Sequence, residues 1–166
     1  MSKKKILIAY ASRAGSTAEV AEKICKTLRG LGLDVDIKSI KGITNIDEYN
    51  GVIIGSAIRM FKLLPEVVNF AKKFKDAIKD KPVAYFIVCL LMKDDNEKTR
   101  SQVLEYLKPL PEIKEPVSIG LFGGKMDYSK LSLIWRILFK RRVPEGDFRN
   151  WQKITDWTNG LLEIFN

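Results

Sequence analysis

Six consecutive residues near the amino terminus, Ser12-Arg13-Ala14-Gly15-Ser16-Thr17, gather three hydroxyl groups and one guanidinium around a glycine. These residue types suit an anion. Hydroxyls donate hydrogen bonds, arginine brings charge, and glycine lets the backbone curl so that N–H groups converge. Ala14 keeps the approach open. The turn follows the apolar run Ile6-Leu7-Ile8-Ala9-Tyr10-Ala11 and precedes a segment in which Val20, Ile24, Leu28 and Leu31 recur at helical spacing. A strand therefore enters the turn and a helix leaves it. A helix amino terminus offers unpaired N–H groups and the positive end of its dipole, which is the chemistry of phosphate binding. Ser16-Thr17-Ala18-Glu19 also reads as a capping box, S-x-x-E, which needs no ligand. A capping box uses one hydroxyl at the cap. This turn clusters three at the carboxyl end of a strand, where open α/β sheets bind ligands, so the ligand reading takes precedence.

The same residues exclude several chemistries. No Gly-Lys-Ser/Thr completes a nucleoside-triphosphate loop, and the turn is not the GxGxxG of a dinucleotide site. A phosphorylated receiver domain needs acidic residues where this chain has Tyr10-Ala11-Ser12 and Gly55-Ser56. The chain has no histidine, which removes Ser-His-Asp and Cys-His catalysis and histidine metal sites. Cys25 and Cys89 are its two cysteines, too far apart for a CxxC pair or a metal knuckle, and they read as buried packing. No catalytic side chain and no metal ligand is assigned. A cofactor is expected to carry the chemistry.

The elements that must hold this turn follow from periodicity. Apolar runs at 5–11, 35–40, 51–56, 83–89 and 117–122 read as short strands buried on both faces. Helical patterns fall after the turn and over 64–79, 96–108 and 147–165, with a short helical turn near 46–49. Strand and helix alternate, so an α/β fold is expected: a five-stranded parallel sheet covered by helices on both faces. At 166 residues, 46% hydrophobic, the chain reads as one domain over 1–166.

The segment 125–146, after the fifth strand, exceeds an ordinary connection. In it Leu131, Ile134, Trp135 and Leu138 share one helical face, with Lys130, Arg136, Lys140, Arg141 and Arg142 as a cationic complement. A basic amphipathic helix of this kind either lies on an anionic membrane surface or packs on its own domain, with Trp135 and Phe139 over the sheet edge. The net charge of +9 favours an anionic partner. Nucleic acid is not expected, because the basic residues are not interleaved with aromatics in a recognisable pattern. Lys3 to Lys5 precede an apolar run too short for a signal peptide, and no run approaches the roughly twenty apolar residues of a bilayer span. A cytoplasmic protein is expected, or one peripheral to the inner face of the membrane.

Ser12-Arg13-Ala14-Gly15-Ser16-Thr17 resembles the T/S-x-T-G-x-T phosphate turn of flavodoxins, with Ala14 in place of the central hydroxyl residue. The resemblance implies a flavodoxin-like three-layer sandwich, strand order 2-1-3-4-5, with FMN at the switch point between strands 1 and 3; that placement is a known property of the fold. It also implies that the flavin ring lies against Ser56, Ala57, Ile58, Arg59 and Met60 after the third strand and Leu90, Leu91 and Met92 after the fourth. Gly123, Gly124, Lys125 and Tyr128 after the fifth strand form a third candidate ring loop. Gly55-Ser56-Ala57-Ile58-Arg59, then Gly123 to Tyr128, the Trp- and Arg-rich insertion and Asp156-Trp157 resemble menaquinone-dependent protoporphyrinogen IX dehydrogenases within the same superfamily. Those proteins usually carry aromatic or histidine residues where this chain has Met60-Phe61-Lys62. The leading expectation is an FMN electron carrier serving a protein partner with an acidic surface or a ferredoxin-linked enzyme. Two alternatives stand beside it: a porphyrinogen dehydrogenase at a membrane, and a flavin-free basic adaptor.

Overall fold

In the first strand, β1 (Lys5–Tyr10), Ile6 and Ile8 pack into one hydrophobic cluster and Leu7 and Ala9 into another, all without meaningful solvent contact. A strand buried on both faces needs helices above and below, and the chain supplies them in alternation. The computed structural model describes residues 3–139 and 145–166. After β1 come α1 (Ser16–Gly30), β2 (Asp34–Ser39), β3 (Gly51–Arg59), α2 (Pro65–Lys73), β4 (Val83–Cys89), α3 (Glu97–Leu107), β5 (Ser118–Gly123), α4 (Leu133–Phe139) and α5 (Trp151–Gly160). Single helical turns at Lys75–Ile78, Pro109–Ile113 and Leu162–Phe165 extend α2, α3 and α5.

The five strands pair in parallel in the order β2-β1-β3-β4-β5, as expected. Ile8 sits between Ile37 and Ile53, and Tyr10 between Ser39 and Gly55, so β1 and β3 end side by side. α1 and α5 cover one face through Val20, Ile24, Leu28 and Ile154. α2 and α3 cover the other through Val67, Phe70, Val103 and Leu107. Each of these fully buried aliphatic or aromatic side chains contributes about 1.5–3 kcal/mol relative to exposure. Tyr85, in the middle of β4, donates its hydroxyl hydrogen bonds to the carbonyls of Leu110 and Lys114, which ties the end of the α3 extension to the sheet.

Several expected boundaries move for identifiable reasons. α1 ends at the glycine pair Gly30 and Gly32, as the sequence suggests, but Leu31 of its expected apolar face is exposed, because the N–H groups of Gly32 and Leu33 return to the carbonyls of Arg29 and Leu28 and close the helix. The helix expected over 64–79 breaks at Phe74, whose ring is buried 4.9 Å from that of Phe70. The third strand runs past Ser56 to Arg59 and turns back on itself, with Ile58 opposite Leu63 and Arg59 opposite Lys62. The last helix begins at Trp151, capped by the Asn150 side chain, rather than at 147. Gly146–Asp147 pairs instead with Lys125–Met126, so the expected insertion is a hairpin-based excursion whose two ends meet.

Gly55 shows how tightly the site end of the sheet is packed. A β-carbon there would stand 2.0 Å from Cζ of the buried Phe86 ring. Gly55→Ala is predicted to lower the unfolding free energy by about 1–3 kcal/mol in urea titrations. Gly30→Ala, where nothing lies within 4 Å, should instead gain up to about 1 kcal/mol. Equal stability of Gly55→Ala and wild type would contradict this packing.

Candidate functional site

Between the end of β1 and the start of α1 the chain has only residues 11–15, so the first turn of α1 is held against the carboxyl ends of β1 and β3. Gly15 makes that reversal with φ +93°, a left-handed conformation that a side chain would strain, and it is the residue that caps α1. Its N–H donates to Ser12 Oγ at 3.1 Å, and its carbonyl accepts from Glu19 N at 3.0 Å. The capping box is not formed. Ser16 lies inside the helix, no side chain caps it, and the Glu19 carboxylate turns away to Arg149. Among the described residues no acceptor meets the N–H groups of Ser16, Thr17 and Ala18. A helix start left open in this way, rimmed by the hydroxyls of Ser12 and Ser16, matches the oxygens of a phosphate monoester.

The charges around the turn are less free than the sequence implies. Arg13 forms a paired contact with Glu66 at the start of α2, with Nη2 to Oε2 at 2.9 Å, and this holds the Glu66 carboxyl below the usual carboxylate range. Arg149 is only 5% exposed at its side chain. It donates through Nε and Nη2 to Asp147 at 2.8 and 2.7 Å, bonds Glu19 through Nη1, and lies 4.7 Å over the Trp151 ring. Both carboxyls are held below their ordinary range by these hydrogen bonds. The cation that reaches the turn is Lys130, whose Nζ donates to the Ala14 carbonyl at 3.0 Å. No local signal identifies that contact, because 116 residues separate the partners. The Arg149–Glu19 and Arg13–Glu66 contacts are likewise invisible locally, since each joins residues far apart in the chain.

The three expected ring loops differ in what they present. After β3, Met60 and Phe61 occupy the two tip positions of the hairpin with φ of 54° and 63°. This is the left-handed pair that a two-residue hairpin requires and that Asn-Gly usually supplies. Each non-glycine there costs about 1–2 kcal/mol. Both are exposed, Met60 at 67% and Phe61 at 75%, and Phe61 leans on Tyr106 with ring centroids 5.9 Å apart. The Ser56 side chain is buried: its hydroxyl donates to the Ala57 carbonyl at 2.7 Å and accepts from Leu64 N at 3.3 Å, clamping the base of this hairpin. Ala57 and Ile58 are half-buried and Arg59 is exposed.

After β4, Leu90–Lys93 form a single tight turn in which Met92 is buried in the core, leaving Leu90 and Leu91 half-buried at the strand end. After β5, the two glycines serve the fold's own backbone. A β-carbon on Gly123 would lie 2.4 Å from the Phe148 carbonyl oxygen, while Gly124 donates to Cys89 O and accepts from Phe148 N. Lys125 and Tyr128 are half-buried nearby, and Ser16 Oγ faces the Lys125 carbonyl at 3.5 Å. Burial pushes the thiols of Cys25 and Cys89 up, so neither is a ready nucleophile. No cluster of metal-ligating side chains occurs among the described residues.

In the insertion, most of the apolar face expected to lie on a membrane or on the domain is open to solvent. Lys130 precedes α4 rather than lying on it, in the single turn Tyr128–Lys130. The seven residues of α4 leave Leu133, Ile134, Ile137 and Leu138 exposed, Leu133 at 72% and Ile134 at 71%. Ile137 is 68% and Leu138 56% exposed, whereas Trp135, at 36%, is the most covered of these side chains. Lys140, Arg141 and Arg142 lie outside the described residues. No described helix is long and apolar enough to cross a membrane.

Residues 7–145 match the family model of the flavodoxin domain. The chain belongs to the flavodoxin domain family. Among solved structures, oxidised Flavodoxin 1 from Bacillus cereus superposes with a TM-score of 0.64 at 14% identity, over 98% of this chain and 100% of that one. A Fusobacterium nucleatum flavodoxin variant bound to flavin mononucleotide superposes with a TM-score of 0.60 at 16% identity, over 99% and 98%. These likenesses support the flavodoxin fold. In sequence, the chain is 24% identical over 161 residues to protoporphyrinogen IX dehydrogenase [quinone] of Escherichia coli strain K12, covering 92% of this chain and 88% of that protein. The Leishmania major protein of the same name is also 24% identical over 161 residues, covering 92% and 70%.

The Glu19–Arg149–Asp147 bridge joins α1 to the base of the insertion, and its pH dependence has a definite sign. Carboxyls held below their ordinary range add stability at pH above about 4 and lose it as pH falls through the lowered values. Both carboxylates are close to half exposed, so Arg149→Met is predicted to cost about 1–2 kcal/mol at pH 7. The variant should also lose less stability than wild type between about pH 5 and pH 3. Urea titrations across that range check it; parallel curves for the two proteins would contradict the assignment.

Proposed function

We propose that this flavodoxin-family protein binds FMN and passes electrons between redox partner proteins. The observation that carries the reading is the open first turn of α1: the acceptor-free N–H groups of Ser16, Thr17 and Ala18 beside the Ser12 and Ser16 hydroxyls, at the carboxyl ends of β1 and β3. In this reading Ser12 to Thr17 hold the phosphate. The half-buried backbone of Ala57 and Ile58, the exposed hairpin tip at Met60 and the strand end at Leu90 and Leu91 flank the ring. Met92 contributes backbone alone, and Gly123, Gly124, Lys125 and Tyr128 close the side next to the phosphate. Bound flavin supplies the one- and two-electron chemistry that a chain without histidine or a reactive thiol lacks. The chain's own residues bind, orient and set charge: Arg59, Lys62 and Lys93 carry positive charge at the ring-loop side. A net charge of +9 suits a partner with an acidic surface, such as a ferredoxin-linked enzyme.

Purified protein should be yellow or should quench FMN fluorescence in a titration that saturates at one flavin per chain. Colourless protein that leaves FMN fluorescence unchanged would overturn the reading.

A second reading, protoporphyrinogen IX dehydrogenase passing electrons to a quinone at a membrane, is favoured by the exposed apolar side chains of α4 and by the name shared by the curated relatives. An apolar helix followed in sequence by Lys140, Arg141 and Arg142 suits an anionic lipid surface, where each basic residue adds about 1 kcal/mol of attraction. If it holds, the FMN-loaded protein sediments with anionic vesicles and oxidises a porphyrinogen with a quinone as acceptor. Protein that ignores both, yet accepts electrons from a ferredoxin-linked donor, leaves the carrier reading alone.

A further inference from the structure

The insertion reaches back onto the phosphate turn through one side chain. Lys130 Nζ donates to the Ala14 carbonyl at 3.0 Å, and a β-carbon on Gly15 would lie 3.5 Å from that same nitrogen, so the ammonium group stands directly over the glycine that opens α1. The guanidinium groups nearby are already matched: Arg13 by Glu66, and Arg149 by Asp147 and Glu19. Among the described residues Lys130 has no carboxylate within 4 Å, and its ammonium group donates to a backbone carbonyl. The nearby acids are engaged elsewhere, Glu19 on Arg149 and Asp127 on the N–H and hydroxyl of Ser129. A neutral carbonyl is a weaker partner for an ammonium group than a phosphate dianion, because the dianion adds a full charge–charge attraction to the hydrogen bond.

The residues around Lys130 connect it to α4. Arg136, on that helix, donates through Nη2 to the Ser129 carbonyl at 2.9 Å and through Nε to the Leu131 carbonyl at 3.0 Å, bracketing Lys130 on both sides. A force applied at Lys130 is therefore passed to the helix that carries the exposed apolar side chains. Resting on the FMN reading above, we propose that Lys130 is a phosphate-binding residue supplied by the insertion, so that a bound flavin phosphate pins the insertion and α4 onto the phosphate turn. The coupling is reciprocal: whatever holds the insertion in this position strengthens phosphate binding by the same factor. Riboflavin, which lacks the phosphate, occupies the ring loops without engaging Lys130.

The test uses full-length protein and two ligands, FMN and riboflavin, titrated by fluorescence quenching against wild type, Lys130→Met and Lys130→Arg. Lys130→Met should weaken FMN about tenfold or more and leave riboflavin within a factor of two, while Lys130→Arg keeps most of the FMN affinity. Hydrogen exchange over 127–139 supplies the second readout. FMN, but not riboflavin, should slow exchange there in wild type, and the slowing should be lost in Lys130→Met. Unchanged FMN affinity, or an equal loss for both flavins, overturns the assignment of Lys130 while the FMN reading stands. Wild-type protein that binds neither flavin overturns both.

Discussion

A parallel strand buried on both faces can offer its environment nothing except its ends, and β1 ends between β2 and β3 with a helix beginning after five intervening residues. The remaining features of the site depend on that constraint. Because α1 must lie back across the sheet to cover Ile6, Ile8 and Ile53, its first turn is forced to the rim, where no preceding helical residue exists to accept its N–H groups. Glycine at 15 is the conformational condition for the reversal, and Ser12 stabilises it by accepting from the Gly15 N–H. The open amides follow from the burial of β1 and are not a separate device.

Charge at this rim is organised by pairing. Two arginines that would otherwise crowd the turn are used to brace it, Arg13 toward α2 and Arg149 between α1 and the base of the insertion. Bidentate guanidinium–carboxylate contacts fix geometry as well as charge. What remains at the rim outside these carboxylate pairs is the helix terminus, a set of hydroxyls and the ammonium group of Lys130 on its long aliphatic stem. Such a group can change partners at little conformational cost, whereas Arg149, packed against Trp151 and almost without exposure, cannot.

Among the described residues the most exposed large apolar side chains lie at the hairpin tip Met60-Phe61 and on the helix α4. They differ physically. The hairpin holds two bulky residues in a backbone conformation that glycine and asparagine favour, so its stability is set below what the same turn could reach. A conformation of that kind persists only where the surroundings enforce it, here the Ser56 clamp and the Phe61–Tyr106 contact. α4 is too short to hold itself by helix propensity alone. Its position depends on the hairpin of Lys125–Met126 with Gly146–Asp147 and on Arg136 bonding the carbonyls before it.

Periodicity alone determined the five strands, their parallel burial and the covering helices, because a residue's inward or outward placement in a short element is a local property of spacing. The turn at 12–17 between strand and helix was legible for the same reason: its glycine, hydroxyls and flanking elements are contiguous. Tertiary structure alone decided what each group is free to do. It took Ser56 into a clamp, Met92 into the core and Gly123 against the Phe148 carbonyl, withdrew Arg13 and Arg149 into ion pairs, and brought Lys130 over Ala14. The pairs of Arg13 with Glu66, Arg149 with Glu19 and Lys130 with Ala14 join residues distant in the chain, and no spacing rule encodes them; they arise only when burying two apolar faces brings separate segments to the same rim.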